Sequence, residues 1–219
     1  MVCLVACLGL SPSSMALKAG ELLDWVVVVV GNNVVTASEV KLQLRLEAFL
    51  NQRPVDDSDT ARHQAVERLI EVNLIAKEMH VTNFLPAKDG EIERELQALY
   101  EQDYPNKRAF SEALETYSLD ENVLRAFLRR QINVLRFIDF RFRTGLDVSE
   151  ETVNTYYEDI YTARVRQLEG HAPEPLAEVR ASLREVVLQA RVDELLNDWL
   201  KLSRASNRVE YVSSTRRGF

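Results

Sequence analysis

Cysteine, glycine and proline are all scarce in this sequence. Its 219 residues include 2 cysteines, 7 glycines and 6 prolines. So few glycines and prolines argue against a phosphate-cradling loop architecture, a collagen-like chain and a long disordered linker. Both cysteines, Cys3 and Cys7, lie at the very N-terminus. The sequence after Cys7 therefore has no thiol for a disulfide, a nucleophile or a thiolate metal site.

The spaced motifs of catalytic and metal sites are also missing. The three histidines, His63, His80 and His171, stand at unrelated spacings with no cysteine partner. No glycine-rich nucleotide motif and no nucleophile elbow occurs. Carboxylates are plentiful, but they alternate with lysine and arginine on helical patterns, so no acid and base pair stands out. We therefore predict no catalytic residue, no metal and no cofactor.

The charge balance is acidic, with 27 Lys+Arg against 34 Asp+Glu and a formal charge of −7. An acidic chain without a basic arm is a poor binder of nucleic acid phosphates, and we predict no nucleic acid partner. One helical segment is rich in arginine but shares its helix with an apolar stripe. We interpret it as a solvated helix face rather than an RNA site; its members are Arg125, Arg129, Arg130, Arg136, Arg141 and Arg143.

An apolar run from Val2 to Leu10 precedes serines, a proline and Ser14-Met15-Ala16. This order is typical of a secretory signal, and the run is too short to span a bilayer. We expect residues 1–20 to be a signal segment and the protein to be periplasmic, without a stable membrane span. A Sec signal has a basic residue before its apolar run, and this sequence has none there. The true start would then lie upstream. A lipobox at Leu4 to Cys7 and a leader without an export role remain alternatives.

A small sheet is predicted from two distant segments. Val26 to Val30 is an unbroken β-branched run, which is typical of a strand covered on both faces. Gly31-Asn32-Asn33 favours a tight turn into a second strand at Val34 to Thr36. A lone hairpin is marginally stable, and the other β-like segment is Val209 to Val212. We therefore expect the two ends of the chain to meet in one sheet.

The rest of the sequence predicts helices, and the fold class is mainly α. Capping-box spacings at Thr36 to Glu39 and at Ser118 to Glu121 mark two helix starts. After Ser118 the apolar positions recur at steps of three and four, through Leu124, Leu135 and Phe142 to a stop at Gly145. Other helices are expected from 59 to about 80, from 88 to 104, around 110 to 114, from 149 to 161 and from 176 to 202, with a weak pattern after Tyr161 and a rigid connector over 171–175.

Several of these segments together resemble the N-terminal chaperone domain of SurA-type periplasmic proteins. They are V-V-V-V-V-G-N-N-V-V-T-A-S-E-V at Val26 to Val40, R-H-Q-A-V-E-R-L-I at Arg62 to Ile70, F-L-R-R-Q-I at Phe127 to Ile132, R-F-R-T-G-L-D-V-S-E-E-T-V at Arg141 to Val153, Tyr156-Tyr157, P-L-A-E-V-R at Pro175 to Arg180 and Trp199-Leu200. The resemblance implies a helical chaperone core with a small sheet over residues 21–212. Its N-terminal part would be 24–161, its C-terminal helix and strand 175–212, and 213–219 a disordered tail.

The resemblance also implies a function. Members of the family hold unfolded outer-membrane or secreted polypeptides without ATP, and many carry parvulin prolyl-isomerase domains before the terminal helix. The interval from Thr162 to Pro175 is too short for an inserted domain of about 100 residues. The resemblance therefore implies a holdase with no enzymatic activity. A fixed-partner subunit of an envelope complex and an isomerase-related protein without an active domain remain alternatives, and the sequence does not decide between a monomer and a homo-oligomer.

The candidates for client contact are apolar or aromatic residues near turns and helix ends. A crevice between helices would hold an extended client against them. For any one of them the competing interpretation is an ordinary core aromatic. The candidates are Phe84, Leu85, Tyr100, Tyr104, Tyr156, Tyr157 and Tyr161.

Overall fold

The computed structural model describes residues 24–82, 84–168 and 171–212 and is mainly helical, as predicted. The expected signal segment and the expected tail lie outside these residues. The strands are β1 (Val26–Val30), β2 (Asn33–Thr36) and β3 (Val209–Tyr211). The helices are α1 (Ala37–Leu50), α2 (Asp59–Val81), α3 (Asp89–Asp103), α4 (Lys107–Thr116), α5 (Glu121–Ile138), α6 (Glu150–Tyr156), α7 (Thr162–Leu168) and α8 (Leu176–Ser206), with π-helical turns at Asp139–Arg143 and Tyr157–Tyr161.

The two ends of the described chain meet in one antiparallel sheet of order β2-β1-β3. Val28 is paired with Val35 on one side and with Tyr211 on the other. Gly31 adopts a φ of 60° in the hairpin turn, and its N–H donates to the Arg208 carbonyl at 2.7 Å. The Val212 N–H extends the pairing by donating to the Val27 carbonyl at 2.8 Å. The predicted three-strand sheet is confirmed.

Helix caps show where local sequence signals held and where one was wrong. The capping box of Thr36 and Glu39 is present at the start of α1. The box predicted from Ser118 is not formed, because Ser118 lies in the left-handed region with a φ of 53° and its N–H closes the turn after α4. Asp120 caps α5 instead, since its carboxylate accepts from the N–H groups of Asn122 and Val123.

The apolar stripe of α5 also differs from the prediction at one position. Val134 and Phe137 are buried, whereas Leu135 is 64% exposed. Neighbouring residues are about 100° apart around a helix, so packing of α5 in the cluster shared with α2 buries Val134 and turns Leu135 outward. The π-helical turn after α5 then widens the helix, and the Thr144 N–H donates to the Asp139 carbonyl at 3.2 Å. Gly145 follows with a φ of 82°, as expected for the end of the helix.

Residues after Ser149 form an arm against the first half of α8. Ser149 caps α6 as predicted, and its hydroxyl accepts from the Thr152 N–H. The helical path does not weaken after Tyr161, because α7 continues it to Leu168. Val165 of α7 is buried although its neighbours are polar, so tertiary packing supports a helix that the periodicity left in doubt.

Three hydrophobic clusters hold these elements together. The first joins the sheet to α1, α2, α5 and the end of α8, around Val28 and Ile70. The second lies between α1, α3, α4 and α5 around Phe49. The third is small, with Val153 and Leu183 at the contact between α6 and α8. In residues 24–82, 84–168 and 171–212 no helix is both long enough and apolar enough to cross a membrane.

Candidate functional site

The structure distributes six of the seven predicted contact residues among the three clusters, leaves Leu85 exposed and does not bring the seven into one crevice. Phe84 packs against the first cluster, whereas Leu85 beside it is exposed. The two α3-end tyrosines, Tyr100 and Tyr104, pack against the second cluster. The three arm tyrosines pack against the third cluster; they are Tyr156, Tyr157 and Tyr161.

Phe84 and its neighbours form an apolar surface that we call the Phe84 patch, defined as Phe84, Leu85 and Phe140. The Phe84 ring meets Phe137 edge-on at 5.6 Å between centroids and lies 6.4 Å from the Phe140 ring. Phe137 is fully buried, so it fixes Phe84 from below. Leu85 is 80% exposed and Phe140 is 49% exposed. The patch therefore combines an anchored aromatic base with two side chains that face solvent.

The segment that carries Leu85 is anchored to α5 and to the start of α3 directly after Pro86. The Ala87 N–H donates to the Asn133 side-chain oxygen on α5 at 2.7 Å. The Lys88 N–H donates to the Glu91 carboxylate at 2.8 Å, and Arg136 of α5 forms an ion pair with the same carboxylate. The Arg136 hydrogen bond, with help from the Lys88 N–H, lowers the pKa of Glu91 to about 2. These bonds hold the patch against α5.

Tyr100 and Tyr104 belong to an aromatic group between helices. The Tyr104 ring stacks on Phe49 at 6.0 Å and meets Phe110 edge-on at 5.3 Å. Burial raises the pKa of Tyr104, which fits a structural role for this side chain. Tyr100 borders a cleft of about 240 Å³ with Phe110 and Leu96 in its wall. Of the two residues, Tyr100 is therefore the one with access to a cleft.

Tyr157 and Tyr161 link the arm to the connector before α8. Their rings stack at 5.6 Å. The Tyr157 hydroxyl donates to the Glu174 carbonyl at 2.9 Å, and the Tyr161 hydroxyl donates to the Glu174 carboxylate. The Tyr161 bond lowers the pKa of Glu174. The pair thereby ties the π-helical turn to the connector before α8, a structural task that the sequence did not predict.

Sequence reasoning missed Phe140. Phe140 and Phe142 are two residues apart and cannot share one helical face, so their spacing was a signal that one of them would lie away from the core or that the helix would deform. Both occur: the π-helical turn places Phe142 5.9 Å from Trp199 and leaves Phe140 half-exposed beside Phe84. Exposed aliphatic side chains outside the predicted set include Val81, Leu135, Ile160 and Leu168.

The arginines of the α5 segment do not form a free cationic face. Arg125 pairs with Glu93 at 2.8 Å and Arg129 with Asp89 at 2.8 Å, and both carboxylates lie on α3. Arg143 pairs with Glu185 of α8. These bridges between helices account for the arginine spacing better than a purely solvated face. Among residues 24–82, 84–168 and 171–212 no group of three or more acidic, histidine or cysteine side chains is placed to hold a metal.

Comparison with known proteins identifies the general fold of the chain. No protein-family model matches the chain, and no curated protein matches its sequence. A solved chain from Campylobacter jejuni matches it with a TM-score of 0.53 over 86% of this chain and 99% of that one, at 10% identity. That chain comes from the work on the virulence factor PEB4 and the periplasmic protein Cj1289, described together as two structurally related SurA-like chaperones. The chain has the general SurA-like fold.

Proposed function

We propose that the protein is an ATP-independent periplasmic chaperone that holds unfolded outer-membrane or secreted polypeptides. The observation that carries this proposal is the Phe84 patch, an exposed apolar surface on a SurA-like fold. Exposed apolar surface on a folded protein is typical of an interaction site. The chaperone body would comprise residues 21–212.

The patch suits a client that lacks a fixed structure. Leu85 and Phe140 offer apolar contacts to any extended segment, while Phe137 and Asn133 hold the backbone beneath them. Such contacts bury little area, and the client loses conformational entropy when it binds. We therefore expect affinities of about micromolar strength. Tyr100 beside its cleft is a second contact point of the same kind.

The test is suppression of aggregation of a denatured outer-membrane barrel at near-stoichiometric ratios without ATP. Leu85→Ser and Phe140→Ser should each reduce suppression, and the double variant should reduce it further. Phe84 is left intact because it packs against buried Phe137. Leu202→Ser is the matched control, since Leu202 is 68% exposed on α8 outside the patch. Equal suppression by the parent and the double variant would contradict a role for the patch.

No prolyl isomerisation is part of this proposal. The interval between Tyr161 and α8 contains α7 and the connector at 171–175, and the sequence there is too short for an inserted domain. A proline-peptide assay should give the uncatalysed rate. Turnover above that rate would refute the non-enzymatic interpretation.

A fixed-partner subunit is the competing outcome. Pull-down of the mature chain from an envelope extract separates the two: a set of unfolded envelope proteins supports the chaperone, and one stoichiometric partner contradicts it. Export is tested by fusing residues 1–25, with and without upstream sequence, to a reporter that is active only outside the cytoplasm. Failure of both fusions would place the protein in the cytoplasm.

A further inference from the structure

A second pocket lies between α1 and the loop that leads to α2, away from the Phe84 patch. Its volume is about 450 Å³, within the range of small-ligand sites. Leu44, which is buried, and Val55, which is 42% exposed, supply apolar surface. We call it the Lys41 pocket; its lining residues are Ser38, Lys41, Leu44, Arg45, Val55 and Asp57.

Two cations, Lys41 and Arg45, line this pocket. Lys41 and Arg45 are one helical turn apart on α1, and neither forms a salt bridge within the described residues. The Lys41 ammonium lies over the Trp25 ring at 5.6 Å from its centroid. Arg45 donates from Nη1 to the Ser118 carbonyl at 2.9 Å, but its Nε is buried and has no acceptor.

The carboxylates near the pocket are engaged by other donors. Asp57 accepts two hydrogen bonds from Arg62, at 2.9 Å each, and these bonds, with a smaller contribution from the charge of Lys41, lower the pKa of Asp57. Asp24 accepts from the Ser38 N–H at 3.0 Å and from the Ser38 hydroxyl. The Asp57 carboxylate is thus bonded by Arg62, and Lys41, whose charge acts on Asp57 without a salt bridge, lies with Arg45 beside an apolar wall.

We propose that the Lys41 pocket binds the C-terminal residue of a client polypeptide, which joins an apolar side chain to a free carboxylate. The carboxylate pairs with Lys41 and Arg45, because charge-assisted hydrogen bonds to guanidinium and ammonium groups are the strong ones. The apolar side chain lies against Leu44 and Val55. This inference rests on the proposed function, since it names the part of the client that this second site recognises.

The probe is a fluorescein-labelled GSGSTF peptide with a free C-terminus, followed by anisotropy with the full chain. The same peptide as its C-terminal amide is the comparison. We expect saturable binding of the acid and at least tenfold weaker binding of the amide. Binding of the acid should weaken as salt is raised. Equal affinities of the acid and the amide would overturn the proposal.

Lys41→Gln should weaken binding of the acid at least tenfold. Lys41 is exposed, so the variant keeps the fold, whereas Arg45→Gln also removes the contact with the Ser118 carbonyl. Lys107→Gln is the control, because Lys107 borders the separate cleft beside Tyr100. Unchanged binding by Lys41→Gln, or equal loss in Lys107→Gln, would contradict the site. An amidated peptide with an internal glutamate before phenylalanine that binds as well as the acid would contradict recognition of the chain end.

The two proposals fail separately. A protein that suppresses barrel aggregation but does not bind the peptide acid is a chaperone without this site. A protein that binds the acid through Lys41 but has no effect on aggregation has the pocket but is not a chaperone. That outcome would overturn the inference that the pocket recognises clients.

Discussion

At the scale of single residues, Glu91 serves two elements at once. Its carboxylate accepts from the Lys88 N–H at the start of α3 and pairs with Arg136 of α5. Both interactions favour the charged form, the one with Arg136 most strongly, which is why the pKa of this group is low. Glu91 thereby couples the anchor of the Phe84 patch to the packing of two helices.

We predict that Glu91→Gln lowers the unfolding temperature near pH 7. A depressed folded-state pKa adds stability that is present above the unfolded value of 4.5 and is lost as the pH falls through about 2. The difference between parent and variant should therefore shrink as the pH is lowered between these values, as measured by circular dichroism melts. Glu112→Gln, which removes an exposed pair with Arg108, is the control and should change little. A difference that stays constant with pH would contradict this account.

The cap of α5 gives a second residue-scale prediction. Asp120→Ala should cost about 1 kcal/mol, the usual effect of removing a side-chain cap. Ser118→Gly should be neutral or slightly stabilising, because glycine tolerates the positive φ at this position. Urea unfolding measures both changes. A larger loss of unfolding free energy from Ser118→Gly than from Asp120→Ala would indicate that Ser118 caps α5, as the sequence predicted.

At the scale of elements, β1 depends on segments from opposite ends of the described chain. Val28, Val29 and Val30 are paired with β2 on one edge and with β3 on the other. Beneath the sheet lie α1 and α2, and Val28 is fully buried. A valine strand with an unpaired edge is a template for aggregation. We therefore expect β1 to depend on closure of the sheet by β3.

We predict that truncation after Asn207 causes aggregation or loss of cooperative unfolding. The change removes β3 and the bond from the Val212 N–H to the Val27 carbonyl. Truncation after Val212 is the matched control and should melt like the parent. Size-exclusion chromatography and thermal melts distinguish the two proteins. A cooperative, monodisperse product from truncation after Asn207 would show that β1 does not require β3.

At the scale of the whole molecule, the three clusters are unequal. The first two each contain many buried side chains, whereas the buried members of the third are Val148, Val153 and Leu183. Helix α8 connects the third cluster to the first, because Leu183 belongs to the third and Leu200 to the first. Segments with few buried contacts open at lower free energy than the main core.

We predict that amides of α6 exchange with deuterium faster than those of α1 and α2. Val153→Ala should speed exchange in α6 further without changing exchange in the sheet, because Val153 is fully buried in the third cluster alone. Hydrogen exchange with mass spectrometry resolves these segments. Equal protection of α6 and α2 would mean that the chain unfolds as one cooperative unit.

The sequence alone determined the elements whose signals are local. The valine run, the turn at Gly31, the Thr36 cap and the Ser149 cap each depend on a few neighbouring residues, and the structure has all of them. The general SurA-like fold was predicted from the order of such segments and is borne out by the structural likeness.

Only the tertiary structure decided which side chains face solvent. Val134 and Leu135, or Phe84 and Leu85, are neighbours of similar character, and their burial depends on which helix packs against them. The Lys41 pocket likewise exists because the loop after α1 folds back over Leu44. Local patterns indicate the period of a helix, but contacts between distant parts of the chain decide which of two adjacent apolar residues is buried and which stays exposed.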